Sequence, residues 1–185
     1  MTPLVRPRLR RGHVAGWVGV GGRGTAPGGG DQWLQVGLAW IPGSPLVLYV
    51  EVALAGRKPE LRLLGANGAA GAARTLAVRE VSGRPGWWRA WVDGRPVTEP
   101  IRLAGPAGLL PPIATAESWD GGARACNAFA FRFDDVALLA SAWRPFVPGR
   151  SFRDAGFTLR RVTPSTGAGR FGFVASARPR DGATT

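Results

Sequence analysis

Apolar and polar residues alternate with period two along most of this chain, as they do in strands with one buried face. From Asp31 to Ile41, Leu34, Val36 and Leu38 form one apolar face, and Trp33, Gln35 and Gly37 form the other. After a Pro42-Gly43-Ser44-Pro45 turn, Leu46 to Ala55 sets Val50, Val52 and Leu54 against Tyr49, Glu51 and Ala53. Pro112 to Trp119 divides into Thr115, Glu117 and Trp119 on one side and Ala114, Ala116 and Ser118 on the other, where small residues fit close packing on a second layer. Phe129, Phe131 and Phe133 form a core face. Further strands are expected over Gly12 to Val20, Glu60 to Leu64, Thr75 to Val81, Trp87 to Val92, Pro96 to Leu103, Phe157 to Val162 and Phe171 to Ala175. Asp93-Gly94 is a strong hairpin turn, and Asp134 to Trp143 reads as a helical turn or a further strand. About a dozen short strands with turns between them predict an all-β, antiparallel β-sandwich of two packed sheets.

Composition supports that reading. Gly 28 and Pro 16 punctuate the chain without forming a repeat, which favours turns over long helices. A single sandwich domain is expected over 12–177, with a basic, flexible arm at 1–11 and a frayed tail at 178–185. The net charge is +12, carried almost wholly by arginine, since Lys58 is the only lysine. Only Arg6-Pro7-Arg8-Leu9-Arg10-Arg11 forms a cluster, so the basic arm alone leaves a nucleic-acid partner open. Scattered elsewhere, the arginines read as a solubilising surface. No apolar run approaches the ~20 residues of a membrane-spanning helix. The start has no apolar stretch behind its basic residues, so no signal peptide is read there.

Missing parts exclude most catalytic templates. Cys126 is alone, so no internal disulfide can form. His13 is also alone, beside the arm and with no orienting partner in view, so neither a histidine triad nor a Cys/His zinc site is expected. The Gly-rich run from Gly19 to Gly24 reads as a turn, because Pro27 and Gly28-Gly29-Gly30 stand where a phosphate-loop helix would begin. What remains is a carboxylate pair, Glu51 and Glu117 facing each other across a cleft, or a carboxylate working with a neutral amide.

Four segments in order then resemble one family: Trp17-Val18-Gly19-Val20-Gly21-Gly22, Leu34-Gln35-Val36-Gly37, Tyr49-Val50-Glu51 and Ala116-Glu117-Ser118-Trp119. Together they look like the glutamic peptidases, or eqolisins, whose fold is a concanavalin A-like jelly-roll sandwich. The resemblance covers about residues 12–135. It implies a catalytic dyad of Gln35 and Glu117, with Trp17 lining the substrate cleft and Glu51 beside it. Gly21 stands where the family has an acid, and Ser118 is inserted before the tryptophan. The implied function is an acid endopeptidase acting on polypeptide, working as a monomer with no cofactor and no metal, and secreted. The alternative reading is a non-catalytic concanavalin-like module that binds carbohydrate or peptide through Trp17, Trp33 and Trp119.

Overall fold

The computed structural model describes residues 1–9, 11–66, 70–105, 110–120, 123–124, 127–139, 142–163 and 171–178. Among them there is no helix. In chain order the strands are β1 (Thr2–Pro3), β2 (His13–Gly22), β3 (Gln32–Trp40), β4 (Val47–Ala53), β5 (Glu60–Ala66), β6 (Leu76–Glu80), β7 (Trp87–Val92) and β8 (Arg95–Pro96). They continue with β9 (Ile101–Arg102), β10 (Pro112–Asp120), β11 (Ala123–Arg124), β12 (Phe129–Leu139), β13 (Trp143–Pro145), β14 (Phe157–Val162) and β15 (Phe171–Ala177). The fold is an all-β sandwich.

A six-stranded sheet in the order β11-β10-β2-β3-β4-β5 forms one layer. The expected second layer is divided in two: a five-stranded sheet (β1-β12-β15-β14, with β13 on β12) and a four-stranded sheet (β6-β7-β8, with β9 on β7). Period two explains how both pack on the same side. Val14, Leu38 and Trp40 of the large sheet, with Leu46, bury against Phe129, Phe131, Phe133 and Phe173. Val20, Leu34, Val36 and Val50, further along the same face, bury against Ala90, Val92 and Leu103. Each such side chain contributes roughly 1.5–3 kcal/mol by leaving water. Where the Phe131 ring presses on β2 there is no room for a side chain: a Cβ at Gly16 would lie 2.9 Å from it. Ala114 and Ala116 pack against the same cluster, which accounts for the small residues on that side of β10.

Two expectations are refined. Asp134 to Trp143 is strand, and the broken alternation is a bulge: pairing with β15 shifts between Phe133 and Val136, with Asp135 at φ 52°. The extra residue restores Val136 to the phenylalanine side. The N-terminal arm is extended, as expected, but it lies along β12: Thr2 pairs with Arg132, Leu4 donates to the Ala130 carbonyl at 2.9 Å, and Arg8 bridges Ala128. The Asp93-Gly94 turn forms as read, with both residues at positive φ and Val92 paired to Arg95. Of the tail, only Arg178 lies within the described residues, and Cys126 lies outside them.

Phe131 is fully buried at the junction of both layers. Phe131→Ala should lower unfolding free energy by about 3–5 kcal/mol in urea titrations; a loss under about 1 kcal/mol would contradict this account of the core.

Candidate functional site

The face of the large sheet turned away from the phenylalanines carries the other half of each alternation. Glu117 pairs with Ala15, and Thr115 with Trp17. Trp17 pairs with Gly37 and Gly19 with Gln35, while on β4 Tyr49 lies opposite Gly37 and Glu51 opposite Gln35. Trp17, Trp33, Gln35, Glu51, Glu117 and Trp119 therefore all rise from one face of one sheet, with His13 and Tyr49 among them. The two glycines have steric work there. A Cβ at Gly37 would meet the Gly16 carbonyl oxygen, sit 2.7 Å from Trp17 and 2.8 Å from the Tyr49 ring. A Cβ at Gly19 would lie 3.0 Å from the Gln35 side chain. Their absence of side chains lets the rings and the amide close over the sheet.

A cleft of about 340 Å³ opens on this face, lined by His13, Ile41, Tyr49, Glu51, Leu61, Leu63 and Glu117 among others. Both glutamates thus face one space, beside apolar walls supplied by Ile41 and by β5, the edge strand. Gln35 is buried and does not line the cleft itself, but its amide nitrogen donates to two residues that do, Glu51 Oε2 at 3.0 Å and the Tyr49 hydroxyl at 3.3 Å. Gln35 and Glu117 are on the same face, two strands apart and offset by four residues along them; β2, with Trp17, runs between their strands, and Tyr49 and Glu51 lie beyond Gln35 on β4. The His13 Nε2 sits 3.6 Å from Glu117 Oε1, each side chain about one-third exposed. A smaller cavity of about 240 Å³ between β12 and β13 gathers no comparable set.

The electrostatics couple these groups. Burial raises the Glu51 carboxyl above its ordinary value of 4.5, and the negative charge of Glu117 adds to the shift. His13 opposes it, as does the Trp33 indole N–H, which is close enough to temper the charge but short of a regular hydrogen bond. Burial likewise pushes the Tyr49 phenol well above 10.0, reinforced by Glu117 and Glu51, with the Gln35 hydrogen bond acting against it. The cleft holds a phenol, a reluctant acid, a second glutamate and an imidazole, which is a set suited to moving protons.

All six residues singled out from the sequence are on this face. Trp17 stands beside Tyr49, and Trp119 lies across from His13 at the rim. Reading the chain missed two members. In sequence His13 has no partner in view and Tyr49 is only a facing residue; the signal for both is their odd-numbered place on β2 and β4. Gly21, where the resembled family has an acid, has φ 95° and its backbone lies against the Gln32 carbonyl oxygen, so no side chain fits without moving the strand end. Ser118 is turned inward, its hydroxyl accepting from the Asn127 amide at 3.0 Å. Among the described residues, no three His, Cys, Asp or Glu side chains gather as a metal site, and no helix is long and apolar enough to cross a membrane.

Comparison with protein-family models, with curated proteins and with solved structures finds no match to this chain. The site therefore has to be read from its own chemistry.

For Glu51 the raised folded value sets the sign of a pH effect. Its stabilising contribution is complete below the unfolded value near 4.5 and is lost as pH rises through the folded one, so ionised Glu51 burdens the fold at neutral pH. Glu51→Gln, which keeps an acceptor for Gln35, should raise the melting temperature at neutral pH and lose that advantage in acid. Circular dichroism melts across pH check this, and a neutral-pH decrease would contradict it.

Proposed function

We propose that this protein is an eqolisin-like acid endopeptidase in which Glu117 and Gln35 work as the dyad of a glutamic peptidase. The observation that carries the reading is the single cleft that Glu51 and Glu117 both line, with the Gln35 amide hydrogen-bonded to Glu51 and Tyr49 of its lining. In this mechanism a water gives a proton to the Glu117 carboxylate while its oxygen bonds to the scissile carbonyl carbon. Gln35 turns one amide N–H from Tyr49 or Glu51 to the oxyanion that forms. The carbon–nitrogen bond then breaks as Glu117 returns the proton to the leaving amine. His13 Nε2, 3.6 Å from Glu117 Oε1, orients the carboxyl that takes the proton. Glu51, inclined to stay neutral, keeps a second negative charge out of the same space. Ile41, Leu61 and Leu63 favour a bulky apolar side chain next to the cleaved bond.

A second reading has its own support. Trp17 and Trp33 bury indole N–H groups that have no acceptor among the described residues, and with Trp119 they rise from the same face. Such a platform suits a non-catalytic, concanavalin A-like module that holds carbohydrate or peptide by stacking.

Cleavage of an unfolded protein substrate decides between them. The purified protein should hydrolyse it in acid. Gln35→Ala should cost roughly 10²–10³-fold in kcat, and Glu117→Gln should cost as much or more, with melting temperatures retained. Activity at the wild-type level in either variant would refute the dyad. An absence of hydrolysis at every pH, joined to peptide or glycan binding that Trp17→Ala removes, would favour the module.

A further inference from the structure

The four-stranded sheet packs on the far side of the large sheet from the cleft, and its outward face has a chemistry of its own. On β7, Trp88, Ala90 and Val92 point to the core, so Trp87, Arg89 and Trp91 point outward. Arg79 of β6 lies directly opposite Arg89, and Arg102 of β9 directly opposite Trp87. Like charges facing each other across strands are unfavourable, yet here a second arginine stands across from the first. Arg79 is held between two indoles, 4.8 Å from the centre of Trp91 and 5.2 Å from that of Trp143; Arg84 covers Trp87 at 4.4 Å. Among the described residues, the carboxylate on Arg89 is Glu99 at 3.3 Å, which is almost wholly in solvent and screens little.

Three donors on this face are buried without an acceptor among the described residues: Arg79 Nε, Arg89 Nε and Trp91 Nε1. Stacking explains why Arg79 is held, but not why Arg89 is set against it or why all three N–H groups lack oxygen partners. These N–H groups are turned in from the surface, so a ligand would meet the outer ends of the guanidinium groups rather than Nε, and those forks match phosphate geometry in particular. Beside them Trp143 is 51% exposed and offers an indole plane.

We propose that this outward face binds single-stranded nucleic acid, with Arg79, Arg89 and Arg102 meeting backbone phosphates and Trp143 stacking on a base. Free phosphate would meet the forks but make no use of the indole, and a duplex keeps its base planes covered. The +12 charge favours the same partner. The site is independent of the cleft, and its failure would leave the peptidase reading untouched.

Fluorescence anisotropy of a labelled oligothymidylate with the whole protein tests it. Binding should appear at low salt and weaken linearly on a log–log plot as salt rises. Arg79→Gln with Arg89→Gln should weaken it about tenfold or more and make the salt slope shallower by about 1.4, at ~0.7 per lost phosphate contact. Trp143→Ala should weaken it roughly tenfold at an unchanged slope. Arg57→Gln, in the exposed turn after β4, should change nothing. If the arginine pair fails to fold when replaced, the exposed Trp143→Ala and Arg102→Gln variants decide instead. The proposal is overturned by no binding at low salt, by wild-type binding in folded variants, or by tighter binding of duplex or sulfated polysaccharide through the same arginines.

Discussion

The polar cleft exists because the opposite side of its sheet is dry. Val14, Leu34, Val36, Leu38 and Val50 are sealed under two smaller sheets, and in a strand each of those positions fixes its neighbours to the other face. A slip of one residue in β3 would drive Gln35 into the cluster around Ala90, Val92 and Leu103 and turn Leu34 and Val36 to the polar face. The hydrophobic register is thus what holds Gln35, Tyr49, Glu51 and Glu117 toward one another. Glycine completes the arrangement: at Gly16 it admits a phenylalanine from the core side, and at Gly19 and Gly37 it admits polar and aromatic groups on the cleft side.

Within the cleft, function and stability pull apart. A Glu51 carboxyl that is part-buried near Glu117 resists ionising, while Glu117 has a histidine neighbour. Two carboxylates in one space with unequal surroundings is the ordinary physical route to dividing acid and base roles. The cost falls on the folded state at neutral pH, where the buried group must either hold its proton or carry an unwelcome charge.

Much of this was legible in the chain. Period two identified the strands and put Gln35 and Glu51 on faces away from the core and Glu117 on the face opposite the small residues of its strand, because alternation survives whatever partner a strand takes; Trp17 was marked by the family resemblance alone. What alternation cannot give is which strands are neighbours. His13 became meaningful only once β2 was paired to β10, bringing Glu117 to it across a long stretch of sequence. Arg79 and Arg89 likewise looked like scattered surface charges until the β6–β7 register set them opposite each other. The bulge at Asp134-Asp135 was hidden for another reason: two successive acidic residues break the pattern in the same way whether the chain turns, coils or merely inserts one residue. The basic arm was read from composition as free, yet its backbone completes the edge of β12, an outcome set by hydrogen bonding rather than by charge.

The central claim is that Glu51 and Glu117 share one cleft and sense each other there. Carbon-13 NMR titration of the glutamate side-chain carboxyls, in the native protein and in Glu117→Gln, measures this directly. The account predicts a Glu51 midpoint above 4.5 that moves down when Glu117 loses its charge. A Glu51 midpoint at the ordinary value, indifferent to that substitution, would contradict it.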